Sequence, residues 1–296
     1  MNITPDTRIA MIYQPLPDFL GYGGFLERGI KQLCHTMHFI PGEESPGFDH
    51  YFYIDDGPTY YMEPKYHPAT YFAIDMVVKP FWYLEPVERY FERLQNFAHA
   101  CVSSTATLAY CQARGLDVRL IGFAADPEYH KPYPRTNEYD WLACWHNCEG
   151  RVEAVNRALA CFPNGGHLWR GNELYAETIC RGRCALNWLR GDIVNMRVFE
   201  VMATATPLIT TRHPDMAYYG FIEGEHYLGY DPDDIDGMLE RIGWVQAHTA
   251  QALEMAARAR EFVLDHHTYA HRARSLTTRE AWIETISQSR QGHSNI

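Results

Sequence analysis

The stretch GDIVNMRVFEVMATATPLITTRHPD, residues 191–215, contains a polar turn, a helical segment and an apolar strand in succession. Four apolar residues of the helical segment recur at i, i+3, i+4 and i+7, the spacing of one helix face. They are Val198, Val201, Met202 and Ala205. The following run PLITT (207–211) is rich in β-branched residues, which strands favour. This order of elements is typical of a parallel sheet covered by helices.

The same alternation extends along nearly the whole chain. Strands are predicted at 8–13, 35–40, 50–55, 70–75, 100–104 and 118–123, and again at 141–145, 166–170, 185–189, 207–211 and 226–230. Helices are predicted at 25–33, 85–98 and 104–114, and later at 150–161, 172–182, 195–204, 233–246, 248–265 and 270–288. Residues 124–140, between the two series, are polar, include three prolines and are predicted to be a linker.

Two such series predict an α/β fold with two Rossmann-like domains. The predicted bounds are 1–125 and 136–270, with a C-terminal helix and tail at 271–296. Ligands of such sheets bind outside the carboxyl ends of the strands. We therefore expect a binding site where the two domains face each other.

Composition excludes some classes of protein. The net charge of −11 argues against a broad nucleic-acid-binding surface, although a local basic patch stays open. Eight cysteines without a CxxC pair are typical of reduced thiols in a cytoplasmic protein. No apolar run approaches the roughly 18 residues of a membrane span. The first residues lack the basic and apolar regions of a signal peptide.

A carboxylate inside the opening helix has two possible roles. Glu200 points away from the apolar face, so it is either a solvated surface residue or a ligand-binding group. The N–H groups at the start of this helix favour an anion such as a diphosphate. A carboxylate one or two turns further along could then accept hydrogen bonds from ribose hydroxyls.

Three motifs carry a resemblance to a known family: NMRVFEVMATATPLITTRHPD (195–215), GFIEGEHYLGYD (220–231) and HTYAHRA (267–273). They resemble the C-terminal, group 1-like domain of bacterial and phage glycosyltransferases with the GT-B fold, and most of all the group related to spore-maturation glycosyltransferases. Weaker likeness extends upstream through YFYIDDG (51–57) and GFAADPEYH (122–130). The resemblance implies two Rossmann-like domains facing across a cleft, with the last helix crossing back to the N-terminal domain.

The resemblance also implies roles for single residues. Glu200 matches the glutamate that binds the ribose of the nucleotide sugar, and Asp192 stands at the first acid of the family's Glu-x7-Glu motif. Asn195 and Arg197 fall in the segment that lines the diphosphate. Ala205 stands where relatives commonly have glycine.

Other parts of the chain complete the expected donor site. His146 and Asn147 stand in the loop after the first strand of the C-terminal domain, and Arg151 is placed to face a phosphate. Gly23 and Gly24 lie in a predicted turn, GYGG (21–24), where positive φ would let the backbone approach a phosphate or sugar. A plain tight turn is the alternative.

Carboxylates that follow strands of the N-terminal domain are the candidates for a general base. Asp75 is the first choice and Asp56 the second, with Asp55 beside it. Turn or N-cap roles are the alternative for each. Tyrosine and tryptophan are abundant in this domain, and such side chains could stack on sugars or bases. They are Tyr51, Tyr53, Tyr60, Tyr61, Tyr71, Trp82 and Tyr83.

We therefore expect a glycosyltransferase, specifically a hexosyltransferase, that uses a nucleotide-diphosphate sugar. UDP is the commonest nucleotide among relatives, and glucose is the first candidate sugar. Neither a cofactor nor a metal ion is expected for the chemistry, since a helix N-terminus and arginine offset the diphosphate charge. The CWHNC run (144–148) lacks a fourth zinc ligand, so packed thiols are favoured there. The acceptor is either a glycan or small molecule, or a hydroxymethylated base in DNA. A DNA acceptor would use a basic patch of Lys65, Lys79, Arg89, Arg93, Lys131 and Arg135.

Two alternatives come from other classes of protein. One is a non-catalytic GT-B-like module that binds a nucleotide or a partner. The other is a hydride-transferring Rossmann enzyme, which is disfavoured because GYGGFLER (21–28) lacks the GxGxxG spacing.

Overall fold

The computed structural model describes residues 3–15, 20–55, 61, 63–78, 86–143, 145, 150–167, 172–189 and 191–277. The chain divides into two compact units. Unit 1 comprises Met1–Phe123, Arg190–Ile193 and Tyr269–Ile296, and unit 2 comprises Ala124–Leu189 and Val194–Thr268. None of the described helices is long and apolar enough to cross a membrane.

Unit 1 contains a six-stranded parallel sheet with the order β2-β1-β3-β4-β5-β6. Its strands are β1 (Arg8–Ile12), β2 (His35–Phe39), β3 (His50–Ile54), β4 (Ala69–Ala73), β5 (His99–Val102) and β6 (Arg119–Leu120). Its helices α1 (Gly21–Ile30), α2 (Val87–Leu94) and α3 (Thr105–Gln112) connect strands of the sheet. Every residue of β3 and β4 is buried, as expected for central strands covered on both faces.

Unit 2 contains a five-stranded parallel sheet with the order β11-β10-β9-β7-β8. Its strands are β7 (Trp141–Ala143), β8 (Gly165–His167), β9 (Ala185–Asn187), β10 (Leu208–Thr211) and β11 (Leu228–Tyr230). Its helices are α4 (Arg151–Cys161), α5 (Asn172–Cys180), α6 (Met196–Ala203), α7 (Pro214–Tyr218), α8 (Ile235–Ala247) and α9 (Thr249–His266). The predicted α/β class with two Rossmann-like parallel sheets is confirmed.

The last described helix, α10 (Tyr269–Thr277), belongs to unit 1 and packs on α1. The Phe25 and Tyr269 rings stack with centroids 5.4 Å apart. Gly29 allows this approach, because a Cβ atom there would lie 2.4 Å from the Tyr269 carbonyl oxygen. The buried guanidinium of Arg272 donates from Nη2 to the Phe123 carbonyl at 2.7 Å. The chain thus returns to its first unit, as the resemblance implied.

The prediction of a glycine turn at residues 21–24 is wrong, because α1 begins at Gly21. Only Gly21 among these glycines has a positive φ, of 66°. Gly23 instead makes room for the Tyr13 ring, which lies 2.5 Å from the position of a Cβ atom. Gly24 does the same for Leu20 at 2.7 Å. Both glycines serve close packing of the helix, and their predicted role in ligand binding stays a prediction.

The segment 124–140, predicted to be a linker, is irregular but packed on unit 2. Ala125 forms a parallel bridge with Thr268. Arg135 donates from Nη2 to the carbonyl of Gly182 at 2.7 Å and from Nη1 to that of Ala205 at 3.3 Å. Buried carbonyl groups need such donors, so the segment is anchored by hydrogen bonds despite its polar sequence.

Candidate functional site

The strand order of unit 2 reverses between β7 and β9. In open parallel sheets, ligands bind outside the carboxyl ends of the strands at such a switch point. The N-terminus of α6 follows β9 after a short connection, and α4 begins at Arg151 after Gly150, whose φ is 83°. Helix N-termini attract anions, so this edge of the sheet is suited to a phosphate group.

A fully buried amide lies at the centre of this edge. Asn187, the last residue of β9, exchanges two hydrogen bonds of 3.3 Å with the side chain of Asn195. Its Nδ2 also donates to Thr210 of β10 at 3.1 Å, and its carbonyl accepts from the Tyr230 hydroxyl at 2.9 Å. Asn195 is the N-cap of α6, but its side chain makes no capping bond because it is paired with Asn187. The amide network therefore fixes the start of α6 to the ends of β9 and β10.

Two arginines reach the same place. Arg151 donates from Nη2 to the Trp188 carbonyl at 2.6 Å and lies over the Trp145 ring at 5.7 Å. Arg197 donates from Nη1 to Asn187 Oδ1 at 3.4 Å, and its buried Nε makes no hydrogen bond to any described residue. Two guanidinium groups beside the consecutive residues Asn187 and Trp188, where β9 ends, could provide positive charge for a diphosphate.

Glu200 lies on the second turn of α6 and is buried, with 6 % of its surface exposed. The solvated alternative is therefore wrong: the side opposite the apolar face is covered by the segment that contains His130. Burial raises the pKa of the Glu200 carboxyl to about 7, while the charge of Arg197 acts in the opposite direction. A buried carboxylate with a perturbed pKa next to a switch point is a functional-site candidate.

His130 is the group that covers this carboxylate. Its Nε2 lies 3.6 Å from Glu200 Oε1, and the backbone N–H of Asp126 donates to its Nδ1 at 3.0 Å. His130 was not predictable as a site residue, because it stands in a stretch of sequence without periodicity. Asn187 was not predicted either, although a polar residue inside the apolar run ALNWL (185–189) was an available signal.

The structure places Asp192 differently from the other predicted donor-binding residues. Asp192 belongs to unit 1, where its Oδ2 accepts from the backbone N–H of Val78 at 3.0 Å. Asp75, the first candidate base, lies two residues after β4 in unit 1 and is partly buried. Asp55 is fully buried, and its charge adds to the effect of burial in raising the pKa of Tyr71. A group without exposed surface does not contact an acceptor, so Asp55 is a structural residue.

Three predicted site residues, Asp56, His146 and Asn147, lie outside the described residues. The same holds for Tyr60, Trp82 and Tyr83 of the proposed aromatic surface and for Lys79 of the basic patch. Within the described ranges, no group of three or more His, Cys, Asp or Glu side chains could hold a metal ion.

Two predicted surfaces need correction. Tyr51, Tyr53, Tyr61 and Tyr71 are buried in unit 1, so their rings pack the core and do not form a stacking platform. In the basic patch, Arg93 is buried in unit 1 and Arg135 is held by backbone carbonyls of unit 2. The six cations therefore do not form the single exposed patch that the sequence suggested.

Comparisons with known proteins bear on this arrangement. Residues 146–278 match the family described as glycosyl transferase-like. Sucrose-phosphate synthase from Thermosynechococcus elongatus has a similar structure, with a TM-score of 0.67 at 13 % identity over 96 % of this chain and 98 % of that one. Anabaena HepE in complex with UDP and glucose gives a TM-score of 0.65 at 9 % identity over 95 % and 100 %. No curated protein sequence matches the chain.

A third similar structure is WaaG, a glycosyltransferase involved in lipopolysaccharide biosynthesis, with a TM-score of 0.64 at 12 % identity over 91 % of this chain and 99 % of that one. These likenesses establish the fold, which is that of GT-B glycosyltransferases with two parallel-sheet Rossmann-like units. The family match adds that residues 146–278 are similar to a glycosyl transferase-like domain. The predicted enzyme class, a nucleotide-sugar-dependent glycosyltransferase, is confirmed at this level.

Proposed function

We propose that this protein transfers a sugar from a UDP-sugar, with UDP-glucose as the first candidate, to an acceptor hydroxyl group. The spore-maturation-type group of bacterial and phage enzymes is the proposed subgroup. No cofactor or metal ion is required, because two arginines and a helix N-terminus offset the diphosphate charge. The reaction takes place in the cytoplasm, in keeping with free cysteines such as Cys180 and Cys184.

One observation carries the proposal: the buried carboxylate of Glu200 lies one turn beyond an anion-binding helix start. Glu200 is four residues after Met196, the first residue of α6, which places it roughly 6 Å along the helix axis. That distance separates a diphosphate from the hydroxyls of its own ribose. Arg197, Asn195 and Arg151 would hold the diphosphate, and Glu200 would accept from the ribose hydroxyls.

UDP is the proposed nucleotide because a neighbour of the same fold was solved with UDP and glucose. The acceptor hydroxyl needs a base, and Asp75, two residues after β4, is the first candidate for it. Asp56 stays the second candidate. Glycans and small molecules are the favoured acceptors, since the buried Arg93 and Arg135 remove two cations from the patch that DNA would need.

A thermal-shift panel of UDP-, GDP-, ADP- and TDP-sugars without added metal tests the donor. A ligand that binds only the folded state raises the unfolding temperature, so UDP-sugars should raise it selectively. Release of free UDP from UDP-glucose should then be detectable, and acceptors can be screened with glycans first and hydroxymethylated DNA second. Stabilisation by every nucleotide without sugar transfer would favour a non-catalytic binding module. A panel without any shift would contradict the proposal.

A further inference from the structure

His130 has a defined protonation state and orientation. It is 2 % exposed, and its Nδ1 accepts a hydrogen bond of 3.0 Å from the backbone N–H of Asp126. A nitrogen that accepts carries no proton, so the neutral ring must hold its proton on Nε2. Burial lowers the pKa of the imidazole to about 4, against the opposing charge of Asp126, so the ring is neutral near pH 7. The ring of Tyr175 supports it edge-on, with centroids 6.4 Å apart.

The protonated nitrogen faces one oxygen of the Glu200 carboxylate. The distance from Nε2 to Oε1 is 3.6 Å, slightly longer than a hydrogen bond. Contacts of this kind are often long in ligand-free sites and shorten when the ligand binds. Among the described residues, the charged or titratable groups near this part of α6 include Arg197 on the same helix, Asp126 beside the imidazole, and His267, whose ring centroid lies 5.6 Å from that of Phe199.

We propose that His130 is a positioning residue that holds Oε1 of Glu200 through its Nε2–H. The ribose-binding role of Glu200 rests on the proposed function, but the contact itself does not. A carboxylate held at one oxygen cannot rotate freely, so the other oxygen keeps a fixed direction towards the two ribose hydroxyls. The N–H group also stabilises the ionised form, in which both carboxylate oxygens accept hydrogen bonds.

Two matched substitutions separate this role from simple packing. His130→Asn can keep the hydrogen bond from Asp126, because its Oδ1 replaces Nδ1, but it lacks a donor that reaches Glu200. His130→Gln has an amide nitrogen near the position of Nε2. We expect UDP affinity, measured by calorimetry, to fall about tenfold in H130N, the usual scale for losing a hydrogen bond to a charged group. H130Q should retain most of the affinity.

A double-mutant cycle with Glu200→Gln tests whether the effect passes through Glu200. In the E200Q background the difference in UDP affinity between H130N and H130Q should shrink, because the amide oxygen of residue 200 accepts only an uncharged, weaker hydrogen bond. Equal affinities of H130N and H130Q in the Glu200 background would overturn the proposal. So would a difference between them that persists undiminished in E200Q.

A ligand-free measurement keeps the inference separate from the proposed function. The Glu200 carboxyl has a raised pKa when folded, so its contribution to stability is present below about pH 4.5 and is lost as pH rises through about 7. In H130N, which lacks a donor to Glu200, the pKa of the folded Glu200 carboxyl should be higher than in H130Q. The decrease in stability with rising pH should therefore extend to a higher pH in H130N than in H130Q. Both variants lack the imidazole, whose own titration therefore cancels. Identical pH profiles would contradict the contact, whereas different profiles without UDP binding would uphold it and refute the UDP-binding role.

Discussion

At the scale of single residues, Ala205 ends α6 in a conformation that alanine rarely adopts. Its φ is 56°, in the left-handed region, and its N–H donates to the Met202 carbonyl at 3.0 Å. A Cβ atom makes this conformation costly by about 1–2 kcal/mol, and glycine avoids the cost. The positive φ at this position therefore explains why glycine is common there in the family that the chain resembles.

We predict that Ala205→Gly stabilises the protein by about 1 kcal/mol. The substitution relieves the backbone strain, and the greater entropy of glycine in the unfolded chain offsets part of this gain. The control is Ala257→Gly on the exposed side of α9, which should destabilise by about 1 kcal/mol as glycine does within helices. Urea unfolding measures the change in the free energy of unfolding, which should be positive for Ala205→Gly and negative for Ala257→Gly. Equal destabilisation by both would show that residue 205 is not strained.

The chemistry of the site was only partly predictable at this scale. The identities of Glu200, Arg197 and Asn195 came from the resemblance, and their place on one helix start came from the local sequence. The burial of Glu200 was not predictable, because it depends on His130, seventy residues earlier in a stretch without a pattern. Helical periodicity describes one helix and contains no information about which irregular segment covers its other face.

At the scale of elements, the lack of a side chain at Gly29 allows α1 and α10 to pack closely. A methyl group at Gly29 would meet the backbone of Tyr269, which cannot move aside as a side-chain end can. Glycine inside a helix otherwise costs stability relative to alanine. Its presence here is therefore explained by close contact between two helices.

We predict that Gly29→Ala destabilises the protein by about 1–3 kcal/mol, the usual cost of overpacking. Gly243→Ala in α8 is the matched control, since its Cβ atom would meet Phe162 at an ordinary 3.8 Å. The control should stabilise by about 0.5–1 kcal/mol through helix propensity. Thermal unfolding distinguishes the two, and stabilisation by both substitutions would contradict the packing of α10 on α1.

Most helices and strands were predictable, but some ends were not. The run VRLIGF (118–123) forms only two residues of strand, because the carbonyls of Gly122 and Phe123 accept from Arg272. The helix α7 was missed because five residues are too few to show periodicity. The prediction of a turn at residues 21–24 was wrong because it considered only the backbone freedom of Gly23 and Gly24. In the structure, glycine is needed at these positions because the Tyr13 and Leu20 side chains occupy the space of a Cβ atom.

At the scale of the whole molecule, the plan of two parallel sheets was predictable from the alternation of apolar runs and helices. The assignment of segments that are distant in sequence to one or the other unit was not predictable. Residues Arg190–Ile193 and Tyr269–Ile296 belong to unit 1 although they follow parts of unit 2 in sequence. The return of these segments to unit 1 depends on contacts between residues that are far apart in sequence. Asp192 and Val78, for example, are 114 residues apart.

The overall charge also differs from the local charge of the site. The chain carries −11, yet Arg151 and Arg197 lie beside Trp188 and Asn187 at the edge of the second sheet. A local pair of cations in an acidic protein attracts a small anionic ligand without creating a broad surface for nucleic acid. The charge distribution therefore agrees with a nucleotide-sugar donor.

The most direct test of the central claim compares the binding of UDP and 2′-deoxy-UDP by calorimetry in wild type and Glu200→Ala. If Glu200 accepts from the ribose hydroxyls, wild type should prefer UDP about tenfold, the scale of one hydrogen bond to a charged group. E200A should bind both nucleotides with similar, weaker affinity, and the exposed control Glu240→Ala should behave as wild type. An E200A variant that still prefers UDP by the wild-type factor would contradict the placement of the ribose.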